Sequence, residues 1–195
     1  MVRGASCRYL LAGLLAAGLL LAAESPLQRA HRKLDRLEND LVPLGSKVTF
    51  TEVELNAFAR EQAGIIAPGA LRDIRLRVIS GGAEARGMIN LLKVRQATGK
   101  DSNWLIDKML DGERPILVRT RIQSHGGRAR VDVERLEISG IALEGRTLQI
   151  VIDRFLIPSF PDARLGRWFE LGHEIERLDT FPGEAIVRMN PSHTR

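Results

Sequence analysis

The chain has 195 residues, of which 44% are hydrophobic, 27% are charged and 5% are aromatic, and its formal net charge is +5. This length fits one domain with or without a tail, and the apolar content excludes a disordered chain. The single cysteine, Cys7, excludes a disulfide framework and a zinc site built on several thiolates.

Residues 1–23 have the three parts of an export signal. Arg3 and Arg8 form a short basic start, Tyr9–Ala22 is an apolar run without a charge, and Leu21-Ala22-Ala23 supplies small residues of the kind that signal peptidase accepts. The run is short for a membrane-spanning helix, which needs about 20 apolar residues. We therefore expect a cleaved signal and export to the periplasm or cell envelope, with a retained amino-terminal anchor as the alternative.

Removal of the signal leaves 27 basic and 24 acidic residues, which are mixed along the chain. A nucleic-acid-binding protein normally has a basic stripe interleaved with aromatic residues, or a recognisable motif. The sequence has neither, so we predict no nucleic-acid partner.

Residues 26–42 predict an amphipathic helix, because apolar side chains recur at spacings of three and four. Pro43 and Gly45 are expected to end it. With its flanks this helix forms the segment 24–45, which precedes a single α+β domain at 46–189 and a polar tail at 190–195. The apolar positions of the helix are Leu27, Ala30, Leu34, Leu37 and Leu41.

A short strand is predicted to run directly into a capped helix between Ser46 and Gln62. Thr51 and Glu54 have the spacing of a capping box, and Phe50 and Leu55 have the spacing of a hydrophobic staple. The expected buried face of the helix comprises Leu55, Phe58 and Ala59.

Two long hairpins follow in the pattern. In residues 70–95, an apolar set (Ile74, Leu76, Val78) alternates with Arg75 and Arg77, so one face should be dry and the other wet. Gly81-Gly82 is the expected turn. The return strand should run from Ala83 to about Val94, through Ile89 and Leu91.

The second hairpin is expected to turn at Gly126-Gly127. Its outward arm alternates one set of residues, Ile116, Val118, Thr120 and Ile122, with a second set, Leu117, Arg119, Arg121 and Gln123. The return arm carries Val131 and Val133, and a phase slip at Arg135-Leu136 predicts a β-bulge.

Two apolar helices and a closing β-segment complete the prediction. The helix at 100–112 carries Trp104, Leu105 and Met109, and this stripe fits either core packing or contact with a membrane interface. The helix at 145–158 carries Leu148, Val151, Ile152 and Phe155. Trp168–Met189 should form one or two strands with a turn at Pro182-Gly183.

No catalytic or metal-binding pattern emerges. His173-Glu174 resembles the start of a zinc-protease helix, but Arg177 stands where the second histidine is needed and cannot bind a metal. Neither a glycine-rich phosphate loop nor a Gly-x-Ser-x-Gly nucleophile motif occurs. We predict no enzyme activity, no metal and no cofactor; a hydrolase would require a polar constellation that the sequence does not supply.

The segment Val48–Phe58 resembles the opening of the LmeA-like phospholipid-binding family of bacterial envelope proteins. The matching pattern is a strand followed by Thr51 and then Leu55-Asn56, with a hydrophobic residue at Phe58. The resemblance extends over about residues 46–189. It implies an α+β fold of the tubular lipid-binding kind, in which a long, strongly curved antiparallel sheet wraps around one or two helices.

The resemblance also implies an exported, non-catalytic protein that binds phospholipid or another acyl lipid in an apolar groove, with possible peripheral contact with the membrane. The alternative is a structural envelope module with a filled core and a protein partner. The predicted lining consists of Leu55, Phe58, Ile74, Leu76, Val78, Ile89, Leu91, Ile116, Val118, Ile122, Val131, Val133, Leu148, Val151, Ile152 and Phe155. The head-group candidates are Arg75, Arg77, Arg119 and Arg121, and the membrane-contact candidates are Trp104, Leu105 and Met109.

Overall fold

A computed structural model describes residues 24–93, 112–152 and 165–191. The fold is α+β with two antiparallel sheets, a small one in the order β1-β9-β8 and a large one in the order β2-β3-β4-β5-β6, with β7 paired to β5. The helices are α1 (Pro26–Glu38), α2 (Glu52–Ile66) and α3 (Gly145–Val151). The strands are β1 (Lys47–Thr51), β2 (Leu71–Ile79), β3 (Gly82–Ile89), β4 (Arg114–His125), β5 (Arg128–Ile138), β6 (Ile141–Leu143), β7 (Phe169–Glu170), β8 (Ile175–Phe181) and β9 (Glu184–Met189).

The α+β class is confirmed, but the expectation of one long, strongly curved sheet is wrong. The sheets are not strongly curled, and β8 pairs with β9 instead of joining the large sheet. β8 touches the large sheet through isolated hydrogen bonds, such as the one from the Gly127 N–H to the Glu176 carbonyl at 2.7 Å. These bonds do not form a ladder, so the two sheets remain separate.

Helix α1 ends at Glu38, four residues before the predicted end. Asp40 adopts a left-handed conformation with φ of 55°. Its N–H donates to the Leu37 carbonyl at 3.2 Å, and the Leu41 N–H donates to the Arg36 carbonyl at 2.8 Å. These two bonds close a Schellman motif, so the helix stops before Pro43 is reached.

The capped start of α2 is confirmed. The Thr51 hydroxyl accepts from the Glu54 N–H at 3.3 Å, and the Glu54 carboxylate accepts from the Thr51 N–H at 2.9 Å. The helix continues past Gly64 to Ile66. Its most buried side chain is that of Glu54, which is 2% exposed, whereas Leu55 and Phe58 are half-buried.

The core cluster lies between the helices and the small sheet. It consists of Leu37, Val42, Phe50, Val187 and Met189. Leu55 packs against this cluster, as the predicted staple requires. The cluster draws on α1, the loop after it, β1 and β9, so the amino-terminal helix is part of the packed structure.

The first hairpin differs from the prediction at its turn and at its end. The turn is Ser80-Gly81, and Gly82 is already in β3. A Cβ at residue 82 would lie 2.0 Å from the Thr120 carbonyl oxygen, so this glycine is required by close packing against β4. β3 ends at Ile89, and Leu91 lies in a helical turn at 91–93 instead of on the strand.

The second hairpin is confirmed, including its Gly126-Gly127 turn. Its register steps from Thr120 opposite Val133 to Arg119 opposite Arg135, which leaves Glu134 as the extra residue of a β-bulge, next to the predicted position. The Pro182-Gly183 turn between β8 and β9 is also confirmed. The short strand β6 was not predicted.

The later helices are described only in part. α3 begins at Gly145, as predicted, and the description stops at residue 152, so the predicted extension to 158 lies outside the described residues. The predicted helix at 100–112 lies outside them as well, apart from Gly112.

Candidate functional site

One face of the large sheet gathers most of the predicted lipid-lining side chains. Leu76 of β2 and Val118 of β4 lie on either side of Ala85 in β3, and Ile122 of β4 lies opposite Val131 of β5. These side chains are half-buried, and Val78 on the same face is 3% exposed. We call this surface the apolar face. Its lining candidates are Ile74, Leu76, Val78, Ile89, Ile116, Val118, Ile122, Val131 and Val133.

The middle strand of the apolar face carries small side chains. Ala83, Ala85 and Gly87 of β3 lie between the larger side chains of β2 and β4. At one end the Ile74 side chain fills the space over Gly87, where an added Cβ would come within 2.6 Å of Ile74 Cδ1. Beside Ala83 and Ala85, which are both half-buried, the face along β3 is lower than the larger side chains on its two neighbouring strands, and we call this stretch the trough.

The four head-group candidates lie together on the opposite face of the same sheet. Arg77 lies opposite Glu84, Glu84 lies opposite Arg119, and Arg75 lies opposite Arg86. Since side chains alternate along a strand, these guanidinium groups point away from the apolar face. A lipid held on the apolar face could reach them only around an edge of the sheet.

Glu84 is a buried carboxylate at the centre of these arginines. Its side chain is 6% exposed, and it accepts hydrogen bonds from Arg119 Nη2 at 2.7 Å and from Arg86 Nε at 2.9 Å. The hydrogen bond from Arg119 lowers the pKa of Glu84 below its usual value, although burial acts in the opposite direction. The carboxylate is therefore ionised and holds two arginines in place.

The other lining candidates belong to elements outside the large sheet. Leu55 and Phe58 are half-buried on α2, Leu91 lies in the helical turn after β3, and Leu148 and Ile152 belong to the region of α3. Ile152 is 9% exposed. Phe155 and the side chain of Val151 lie outside the described part of the structure, as do the membrane-contact candidates Trp104, Leu105 and Met109.

Asn56, half of the Leu-Asn pattern, binds the outer edge of the large sheet. Its Oδ1 accepts from the Leu76 N–H at 2.7 Å, and its Nδ2 donates to the Leu76 carbonyl at 2.6 Å. One turn earlier, the Glu52 carboxylate accepts from the Val78 N–H at 2.9 Å. These bonds satisfy backbone groups of edge strand β2, so the motif residue has a structural role in this chain.

Glu54, on the same helix, fastens α1 to α2. Its carboxylate accepts from Lys33 Nζ at 2.6 Å and from Arg29 Nε at 3.1 Å, and Lys33 also donates to the Thr49 carbonyl at 2.7 Å. Burial raises the pKa of Glu54, but the hydrogen bonds from Lys33 and from the Thr51 N–H together lower it by more than burial raises it. The pKa of Glu54 therefore lies below its usual value. Glu54 is therefore a charged anchor between the helices.

A cleft of about 670 Å³ lies at the other end of α1, away from the apolar face. Asp40 and His173 line it, with His173 Nδ1 at 3.3 Å from Asp40 Oδ1, and Glu174 accepts from Asn190 Nδ2 at 2.9 Å. Asp40, His173 and Glu174 all have positive φ, which is uncommon for residues other than glycine. The remaining lining residues are Val42, Pro43, Leu44, Met189 and Pro191.

The chemistry of this cleft is limited by what lines it. No serine, threonine or cysteine occurs among the described residues of its wall, so the His173–Asp40 pair has no side-chain nucleophile there to activate. Within residues 24–93, 112–152 and 165–191, no group of three or more His, Cys, Asp or Glu side chains is arranged to hold a metal ion.

Sequence reasoning missed the buried acids and this cleft. Glu84 alternates with alanines on a strand, a pattern that predicts an ordinary wet position, and only the cross-strand register places it against Arg119. Asp40 and His173 are far apart in the sequence, and no short-range pattern brings them together.

Among the described helices, none is long and apolar enough to cross a lipid bilayer. In comparisons with known proteins, no family model, curated protein or solved structure matches this chain.

Proposed function

We propose that this is an exported, non-catalytic protein that binds phospholipid or another acyl lipid on the apolar face of its large sheet. The observation that carries the proposal is the division of that sheet into a face of aliphatic side chains and a face of arginines. Removing an acyl chain from water contributes about 0.8 kcal/mol for each buried methylene. Contact of a few methylenes with this face therefore contributes several kcal/mol to the free energy of binding, on the order of 3 to 4 kcal/mol for about five methylenes.

The trough along β3 is the proposed seat of the chain. Ala85 has a shorter side chain than its neighbours Leu76 on β2 and Val118 on β4, and we place the acyl chain over it. The tubular wrapping of lipid by a strongly curved sheet, which the family resemblance implies, is not needed for this contact. A flatter sheet can hold one chain along a single strand.

Native mass spectrometry of the protein from a membrane-containing host, together with uptake of a fluorescent phospholipid, tests the proposal. Ala85→Leu fills the trough and should lower bound lipid about tenfold, because the chain and the new side chain compete for the same space. Ala142→Leu, on an exposed position of β6, is the matched control and should bind as the unaltered protein does. A clean apo mass with no uptake by the unaltered protein would overturn the proposal.

A second variant separates lipid binding from folding. Val118→Thr nearly keeps the side-chain volume but replaces a methyl group of the apolar face with a hydroxyl. It should fold, as judged by circular dichroism, and should lower phospholipid uptake several-fold. If a folded Val118→Thr protein took up as much phospholipid as the unaltered protein, lipid binding on the apolar face would be contradicted.

A second candidate function is a structural module of the envelope, and the cleft at the end of α1 favours it. Leu41 and Leu44 flank Val42 and Pro43 and are 64% and 46% exposed. Exposed apolar side chains beside a cleft are typical of a protein-binding surface. A photo-crosslinking residue at Leu44 should then capture one defined partner, whereas a residue at exposed Ile141 should not.

A further inference from the structure

We propose that the arginine-bearing face of the large sheet docks on the surface of a bilayer that contains anionic phospholipid. This face, the arginine face, lies on the side of the sheet opposite the proposed acyl-lipid site, and the proposal does not depend on that site. Between the row Leu117–Glu137 and the row Gln123–Arg130 it carries seven arginines and four carboxylates. The arginines are Arg75, Arg77, Arg86, Arg119, Arg121, Arg130 and Arg135, and the carboxylates are Glu84, Asp132, Glu134 and Glu137.

Each carboxylate of the arginine face already has an arginine partner. Asp132 accepts from Arg130 at 2.9 Å, and Glu84 is shared by Arg86 and Arg119. Glu134 pairs with Arg121, and Glu137 pairs with Arg135. The internal acids therefore neutralise four of the seven guanidinium groups, and an excess of three positive charges faces solvent.

This excess is concentrated at the β2 side. Arg75 and Arg77 are exposed and have no ion-pair partner within the described ranges. Arg75 lies directly opposite Arg86, and Arg119 lies directly opposite Arg135. Like charges in directly opposed positions destabilise a sheet. Arg119 and Arg135 are each held by a carboxylate, Glu84 and Glu137, but Arg75 is not. An external layer of negative charge would relieve the remaining repulsion between Arg75 and Arg86.

The shape and the apolar content of the face favour a bilayer over a soluble polyanion. The sheet is not strongly curled, so its arginines present a broad surface instead of a pocket for one small anion. Leu117 lies among the arginines. At the end of β4, the rings of Trp168 and His125 pack edge to face, with 4.7 Å between their centroids. Arginines bind phosphates, and tryptophan and leucine side chains favour the boundary between head groups and acyl chains.

Vesicle co-sedimentation of the full chain tests the proposal. Vesicles of phosphatidylcholine alone are compared with vesicles that also contain phosphatidylglycerol. Binding should increase with the phosphatidylglycerol content and weaken with added salt. The double variant Arg75→Gln/Arg77→Gln should bind the anionic vesicles about 30-fold more weakly, since each arginine near such a surface contributes about fivefold.

The matched control is Arg36→Gln/Arg60→Gln, which removes the same charge from exposed positions on α1 and α2. It should bind within about twofold of the unaltered protein. An equal loss in both double variants would show a dependence on net charge alone and would overturn the assignment of the face. Binding that ignores phosphatidylglycerol would overturn it too. Binding of soluble polyphosphate is measured with the same variants. The proposal would also be overturned if Arg75→Gln/Arg77→Gln weakened the binding of polyphosphate but left the binding of anionic vesicles unchanged.

The two experiments can refute the docking proposal and the acyl-lipid proposal independently of each other. Ala85→Leu, on the opposite face, should lose phospholipid uptake and keep its vesicle binding. If the unaltered protein takes up no lipid but docks on anionic vesicles through Arg75 and Arg77, only the acyl-lipid function is wrong.

Discussion

The hydroxyl group of Ser124 forms hydrogen bonds with both the backbone N–H and the backbone carbonyl of Leu178. It accepts from the Leu178 N–H at 2.6 Å and donates to the Leu178 carbonyl at 2.7 Å. Ser124 is on β4 and Leu178 is on β8, so this side chain joins the two sheets where no ladder exists.

We predict that Ser124→Ala destabilises the protein by about 1–3 kcal/mol, because two partly buried backbone groups lose their partner. Chemical denaturation in urea measures the change. Ser80→Ala, in the exposed turn before β3, is the control and should cost less than about 0.5 kcal/mol. Equal stabilities of the two variants would contradict the structural role of the Ser124 hydroxyl.

Asn56 gives a second prediction. Asn56→Asp keeps an oxygen for the Leu76 N–H but replaces the amide group that donates to the Leu76 and Glu52 carbonyls with a second oxygen. We expect a loss of about 2 kcal/mol or more at neutral pH, from the two lost bonds and from repulsion between oxygens. Asn39→Asp, whose amide bonds only the Asp35 carbonyl on an exposed helix end, is the control. Thermal unfolding that affects both variants alike would refute the edge-binding role.

Two glycines predict opposite effects of the same substitution. Gly82→Ala should be strongly destabilising, since its Cβ would lie 2.0 Å from the Thr120 carbonyl oxygen, and backbone cannot move aside cheaply. Gly64 is inside α2 and has nothing within 4 Å of an added Cβ. Gly64→Ala should therefore stabilise the protein by about 0.5–1 kcal/mol. Calorimetric melting temperatures that shift in the same direction would contradict this pair of predictions.

Stability should fall in acid because of Glu54 and Glu84. Both carboxyls have a folded-state pKa below the ordinary value of 4.5. The unfolded chain therefore takes up protons first as the pH falls. The stabilisation is complete above pH 4.5 and is lost as the pH falls through the lower folded-state pKa values.

Glu54→Gln tests this pH dependence. At pH 7 it should cost about 2 kcal/mol, a value reduced from that of a fully buried pair because Arg29 and Lys33 are partly exposed. Below pH 4 the difference from the unaltered protein should shrink. Glu113→Gln removes the exposed pair with Arg72 and should change stability by less than about 1 kcal/mol. A constant difference across pH would exclude the proposed linkage.

Local patterns predicted the elements well where short-range chemistry decides them. The capping box at Thr51 and Glu54, the alternation of β2 and β4, the Gly126-Gly127 turn and the β-bulge near Arg135 all depend on residues close in sequence, and all are present. The end of α1 was predicted wrongly because Asp40 adopts the left-handed conformation that a glycine usually adopts after the last residue of a helix. β3 was predicted too long because apolar Leu91 also suits a helical turn.

Long-range relationships were beyond the sequence. The number of sheets depends on which strand β8 pairs with, and the spacing of its apolar residues, Ile175, Leu178 and Phe181, does not indicate that strand. The register that places Arg77, Glu84 and Arg119 in one row follows from the two-residue Ser80-Gly81 turn between β2 and β3 and from the pairing of β3 with β4, which are far apart in the sequence. The alternation did separate arginines from aliphatic residues, but it could not show that Glu84 is buried between them.

The amide of Asn56 and the carboxylate of Glu52 occupy hydrogen-bonding positions that a neighbouring molecule would need in order to add a strand beside β2. At the opposite margin of the sheet, β6 has three residues and β7 has two, which is little template for pairing. Copies of the chain are thereby hindered from pairing edge to edge through the large sheet. Helix α2, which supplies Glu52 and Asn56, thus protects the β2 edge against aggregation.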